Sequence, residues 1–304
     1  MKGYVTLLAF LLIVVVATFG ITSLACKVQN VYTACSKAFL FHDEEGGKEE
    51  TVPTVRPKFA AKQNLNSTSY DADTARACAV AIKEVWHATP DSDHYQVLCG
   101  KYPDSAPYAI KVVTDDYVML AFRGTDVRCW QEIQTDLDTS LDNVGNDYGF
   151  HSGFLNLWRK DMWFKVVDAL STEDLANKKL YITGHSLGAA FALLTILTIP
   201  PKYNAHIQTY LFGSPRCGDS RLKSSLSKLD GVHIYNLQNL DDPVIALPPA
   251  VAPNYAQPKD PHIFTHVGRR YVACGDSHAS LSQHHAISTY ERMIDHFLLV
   301  PENT

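Results

Sequence analysis

A serine stands at the apex of Gly184-His-Ser-Leu-Gly188, between the β-branched and aromatic run Leu180–Thr183 and the apolar segment Ala189–Ile199. Strand, sharp turn and helix in that order make a nucleophile elbow, in which a strained backbone lifts the Ser186 hydroxyl above the sheet. Glycine at 184 and 188 removes Cβ atoms that would collide with the neighbouring strand or helix. The amides that follow, beginning with Leu187, point from a helix N-terminus toward the place where an oxyanion would form. A hydroxyl attacks poorly at neutral pH unless a base takes its proton, and the base needs an acid to orient it. In this type of site the acid and then the histidine follow the serine along the chain. The acid candidates are Asp241 and Asp242, in a segment that follows a strand and turns at Pro243. The histidine candidates are His278, His284 and His285, just before or at the start of the last predicted helix.

These residues need a rigid scaffold, and the chain supplies one. Its 304 residues, 46% hydrophobic, can bury one large core with length left for appendages. Tyr117–Phe122 and Ile207–Phe212 read as buried strands and Val232–Leu237 as a further one. Helices are expected over Ala75–Trp86, capped by Asp71 or Asp73, over Phe154–Leu170, and over Ala189–Ile199 up to Pro200-Pro201. Ser282–Leu299 reads as a final amphipathic helix. Strands alternating with helices imply an α/β fold with a mostly parallel sheet and one core.

The N-terminus is built differently. From Gly3 to Cys26 there is no charged residue, and Lys2 precedes a dense apolar run. Residues 1–25 read as a signal peptide with Ser23-Leu24-Ala25 before the cleavage point, or as an uncleaved anchor of about 20 apolar residues. Either way the remainder is translocated, so the protein is expected to be secreted or membrane-anchored on the extracytoplasmic side. Asn66-Ser-Thr68 is then a glycosylation acceptor if the source is eukaryotic. Residues 26–58, with the charged Asp43–Glu50 stretch, Pro53 and Pro57, read as a solvated linker before a domain over 59–304. A net charge of −5 gives no reason to expect a nucleic-acid partner. Seven cysteines include no C-x-x-C pair, and Cys78–Cys99 is a plausible bridge. His278, His284, His285 and Asp276 lack metal-site spacing, so no metal or other cofactor is expected. His151 and His266 read as structural histidines, and Trp158, Met162 and Trp163 as core.

Five segments in register carry a resemblance: Phe122-Arg-Gly-Thr125, His151-Ser-Gly-Phe154, Gly184-His-Ser-Leu-Gly-Ala-Ala190, Gly213-Ser-Pro-Arg216 and Asp242-Pro-Val-Ile-Ala-Leu-Pro-Pro249. Together they resemble the class 3 lipase family, the fungal-type triacylglycerol lipases, over roughly Ala75 to Leu298. The resemblance implies an α/β-hydrolase fold and Ser-Asp-His catalysis on lipid esters at a lipid–water interface or membrane surface. It implies Ser186 as nucleophile, Asp242 as acid and His285 as base, with His284 as the alternative base. It places Thr125 at the first oxyanion-hole position, beside the amide of Leu187. Val127–Ile133 resembles the family's lid, with Trp130, Ile133 and Leu137 at helical spacing forming a short apolar face; Cys129 and the membrane-directed N-terminus depart from the fungal pattern. The activity implied is that of an acylglycerol lipase. Phospholipase A1 or feruloyl-type esterase activity on the same scaffold is the alternative, and a silent lipase-like binding protein a third reading. Oligomeric state is not legible.

Overall fold

The computed structural model describes residues 69–300 apart from 91, 100–106, 126–139, 145–147, 176, 200–205, 255, 256, 258 and 276–278. The leader, the linker, Cys26, Cys35, Asn66, the lid segment with Cys129, Trp130, Ile133 and Leu137, Asp276 and His278 lie outside the described residues. Among the described residues no helix is long and apolar enough to cross a membrane.

The chain enters through helix α1 (Ala72–Val85), which Asp71 caps by accepting from the Thr74 amide at 2.6 Å. Strands β1 (Gln96–Cys99), β2 (Pro107–Val113) and β3 (Tyr117–Phe122) follow, then a β4 (Leu141–Val144), β5 (Tyr148–His151) hairpin. Helix α2 (Ser152–Leu157) continues through a π turn at Trp158–Met162 into α3 (Trp163–Ser171). Strand β6 (Lys179–His185) runs into α4 (Leu187–Thr198), and β7 (Ile207–Phe212), α5 (Ser220–Ser227) and β8 (Val232–Asn239) come next. A short β9 (Val251–Ala252), β10 (His262–Ile263) ribbon precedes β11 (Arg269–Ala273), α6 (Leu281–His285), α7 (Ile287–Arg292) and β12 (Leu298–Leu299).

The main sheet of the described residues has the order β1-β2-β3-β6-β7-β8-β11-β12. Strands β3, β6, β7, β8 and β11 are mutually parallel, while β2 and β12 run against them at the two sides. Alternation of side chains along each strand sends successive residues to opposite faces. Val118, Leu120, Phe122, Leu180, Ile182 and Leu211 meet α2, α3, α4 and α5 on one face. Met119, Ala121, Tyr181, Tyr210, Phe212 and Tyr235 meet α1 and α7 on the other. Helix α4 is buried from Leu187 to Ile196, because the sheet lies beneath it and the neighbouring helices cover its sides.

Three expectations are corrected. The final segment is not one helix: Ala286 is extended at φ −63°, ψ 137°, so α6 and α7 are separate and the chain ends in β12. Cys78 and Cys99 are free thiols; Cys78 is buried in the layer under α1, where burial pushes its thiol well up from the ordinary value. Trp158 and Met162 are core, but Trp163 is 39% exposed and Phe164 72%, because α3 turns only Val166, Ala169 and Leu170 inward.

Phe191 of α4 lies within ring-packing distance of Phe122 and Trp158, at centroid separations of 6.4 and 5.6 Å. Replacing it with alanine removes those contacts and leaves a cavity in the face that supports the elbow. Phe191→Ala is expected to lower the unfolding free energy by about 3–5 kcal/mol in urea titrations, with the denaturant slope unchanged.

Candidate active site

Ser186 has φ 57°, ψ −125°, the one non-glycine residue with positive φ among the described residues, and is 2% exposed. Such a conformation costs about 1–3 kcal/mol and persists only where the surroundings over-determine it. They do so here. A Cβ at Gly184 would lie 2.1 Å from the Gly188 carbonyl oxygen, and one at Gly188 would lie 2.5 Å from those of Phe122 and Arg123. Strand β6, helix α4 and the end of β3 are thus pressed together at backbone distance. The Ser186 amide donates to the Phe212 carbonyl at 3.0 Å, which ties the turn to β7 as well.

The end of β3 leads to Thr125. Arg123 donates to the Pro107 and Gly124 carbonyls, and its guanidinium lies 4.3 Å from the centre of the Trp86 ring. A Cβ at Gly124 would fall 3.0 Å from that of Ser186, so this strand end passes directly beside the serine. The Thr125 hydroxyl is buried with no hydrogen-bond partner among the described residues. Leu187 is the first residue of α4, where backbone amides have no intrahelical acceptor.

Asp242 follows β8 and caps a 3-10 turn over Pro243–Ala246, its Oδ1 accepting from the Val244 amide at 2.8 Å. Its side chain is fully buried, and its Oδ2 lies 2.7 Å from His285 Nδ1. With Nδ1 donating to the carboxylate, Nε2 of His285 is the bare nitrogen, the tautomer that can accept a hydroxyl proton. Oδ2 also accepts from the Tyr290 hydroxyl at 2.7 Å, and that hydroxyl accepts from the Asn239 amide at 3.2 Å. Burial, then the Asp242 charge, holds the Tyr290 phenol well above its ordinary pKa, so it remains a donor. Gly213, at φ +56°, makes room: a Cβ there would sit 2.9 Å from Asp242 Oδ2. Arg216 fixes the far end of the turn by donating to the Ala246 and Pro248 carbonyls at 2.6 and 2.9 Å.

The competing candidates point elsewhere. Asp241 accepts from the Gly275 amide at 2.8 Å. His284 faces Asn239, whose side-chain nitrogen donates to the His284 carbonyl at 3.0 Å. His266 is held at about pKa 3, first by burial and then by the Arg216 charge. His151 caps α2 and packs on Phe154 at 4.3 Å.

Residues 119–252 match the family model described as Lipase (class 3). The chain thus resembles the class 3 lipase family over residues 119–252. It is 30% identical over 165 residues to the secreted mono- and diacylglycerol lipase A of Penicillium cyclopium, covering 53% of this chain and 52% of that protein. It therefore spans about half the length of that relative. It is 24% identical over 234 residues to the secreted mono- and diacylglycerol lipase LIP1 of Malassezia globosa, covering 75% and 76% of the two chains. A crystal structure of a point mutant of MDLA from Penicillium cyclopium superposes with a TM-score of 0.50 at 20% identity, covering 76% of this chain and 84% of that one. The chain has the α/β-hydrolase fold, with its mostly parallel sheet flanked by helices.

Three residues surround the site without having been given a role in it from sequence. Tyr290 donates to Asp242 Oδ2, and the Asn239 amide donates to the Tyr290 hydroxyl. A tyrosine one turn beyond a histidine was the available signal for the first; nothing marked the second. His185, inside the Gly-x-Ser-x-Gly pentapeptide, packs on His285 with ring centroids 4.5 Å apart. Burial and then the His285 charge keep His185 well below the ordinary histidine pKa.

His185 and His266 are therefore neutral in the folded chain, whereas both protonate near pH 6.5 once unfolded. Below that pH the unfolded chain binds more protons, so stability is present above pH 6.5 and is lost on acidification toward pH 3. Between pH 6.5 and 5 each histidine is expected to remove up to about 2 kcal/mol of unfolding free energy. Urea titrations at pH 7, 6 and 5 measure this, and His266→Gln should give a shallower decline than the parent.

Proposed function

We propose that this protein is a serine ester hydrolase of the acylglycerol lipase type, acting on lipid esters. The observation that carries the reading is the 2.7 Å Asp242–His285 bond, with the His285 ring packed on His185, the residue before a serine held at positive φ. In the proposed reaction Ser186 Oγ attacks the ester carbonyl carbon while His285 Nε2 takes the hydroxyl proton. The carbonyl oxygen gains the charge and is held by the amides of Thr125 and Leu187. Donors of this kind are each worth about 3–4 kcal/mol in the transition state. The tetrahedral species collapses, the alcohol leaves with the proton from His285, and an acyl-Ser186 ester remains. Water then attacks that ester, giving its proton to His285, and release of the fatty acid returns the proton to Ser186.

The similarity to secreted mono- and diacylglycerol lipases supports an acylglycerol substrate and secretion. The proposed organisation is a leader over 1–25, a linker over 26–58 and the catalytic domain over 59–304. Trp130 and Ile133 are proposed to belong to a lid that covers the acyl site in water and opens against lipid. Phospholipids and feruloyl esters are the competing substrates.

Three measurements test the reading. A fluorophosphonate probe should label the full-length chain, and Ser186→Ala should abolish the labelling; a label retained on another serine contradicts the assignment. Asp242→Asn should leave the fold in place and reduce kcat by about 10⁴-fold, because the base then rests in the wrong tautomer. Hydrolysis of emulsified acylglycerols, phospholipid vesicles and short soluble esters, assayed side by side, is expected to rank acylglycerols first.

A further inference from the structure

The break after His285 leaves the His285 carbonyl without its helical partner. In a continuous helix the Thr289 amide would donate to the His285 carbonyl; here it donates to that of Ala286, at 2.9 Å. The His285 carbonyl is met instead by His185 Nε2 at 2.6 Å. A carbonyl only accepts, so Nε2 of His185 carries the proton. The His185 ring lies against the His285 ring at 4.5 Å and 33°, with Tyr290 at 6.1 Å on its edge. On its other side a Cβ at Gly124 would fall 2.9 Å from His185 Nδ1, so the glycine of the Arg-Gly-Thr segment is what gives the ring its place. His185 is the last residue of β6, in the middle of the sheet, and is itself buried.

We infer that His185 is a positioning residue for the base: its Nε2–H latches the His285 backbone and its ring forms a shelf for the His285 imidazole. The strand that ends in the nucleophile thereby also sets the place of the base. The latch replaces what a continuous helix would have supplied, and it allows the chain to turn at Ala286 so that His285 faces Asp242. Because His185 is neutral, it adds no like charge when His285 becomes an imidazolium during turnover. This inference rests on the roles proposed above for Ser186 and His285.

The test compares the full-length chain with His185→Phe, which keeps a ring and loses the donor, and His185→Gln, whose amide nitrogen takes the place of Nε2. On a short soluble ester, kcat of His185→Phe is expected to fall by about 10- to 100-fold, the scale of a base displaced by a fraction of an ångström to an ångström. KM should be unchanged, and His185→Gln should restore most of kcat. A second measurement does not depend on the variants folding: long-range proton–nitrogen correlation spectra of the wild-type chain should show His185 protonated at Nε2. Wild-type kcat in His185→Phe, or a His185 protonated at Nδ1 alone, overturns the inference. A wild-type chain that fluorophosphonate does not label at Ser186 overturns the functional reading instead, and the tautomer is read independently of that result.

Discussion

The contact on which the site depends is a backbone contact, made where side chains are missing. At Gly184 and Gly188 the carbonyls of α4 and of the β3 end come so close that even a methyl group has no space. That closeness forces Ser186 into a conformation side chains avoid, and hydrogen bonds to β7 keep it there. Everything else around the serine is arranged by strands that already lie in register in the sheet. The β3 end brings Thr125, the β6 end brings His185, and the β8 end brings Asn239 and Asp242. Five parallel strands delivering their C-terminal ends to one edge is how side chains far apart in sequence come to share one small volume.

The carboxylate of Asp242, the proposed acid, is well supplied with donors. Asp242 accepts from an amide, a phenol and an imidazole, so a buried carboxylate has three donors with hydrogen-bond geometry. A buried charge without such partners would cost several kcal/mol. His285 sits at the end of a five-residue helix, and three contacts with two residues orient it: the Asp242 carboxylate on its Nδ1, the His185 ring against its own, and the His185 Nε2 on its carbonyl. Tyr290 joins the two halves, since one hydroxyl bonds both the acid and the β8 backbone.

Much of this was legible in the residues. The strands Tyr117–Phe122 and Ile207–Phe212 stand where their apolar runs placed them, because a central parallel strand is buried on both faces and reads as continuous hydrophobicity. The elbow was legible because its glycines are required by geometry. The last helix was not. Its 3.6-residue pattern continues through Ala286, a good helix former, and no proline or glycine marks the break; the break is stabilised by a contact with His185, 100 residues earlier in the chain. The Cys78–Cys99 expectation failed for a related reason: Cys78 lies on α1 and Cys99 on β1, and spacing along the chain does not say how those elements place the two thiols. Trp163 shows that an aromatic beside buried neighbours can face out when a π turn shifts the helical phase.

A crystal structure of the full-length chain after reaction with a phosphonate ester tests the central claim most directly, because the adduct imitates the tetrahedral species. The account predicts phosphorus bonded to Ser186 Oγ, one phosphoryl oxygen within hydrogen-bond distance of the Thr125 and Leu187 amides, and His285 Nε2 turned to the ester oxygen. A phosphoryl oxygen aimed away from both amides, or an adduct out of reach of His285, would contradict it.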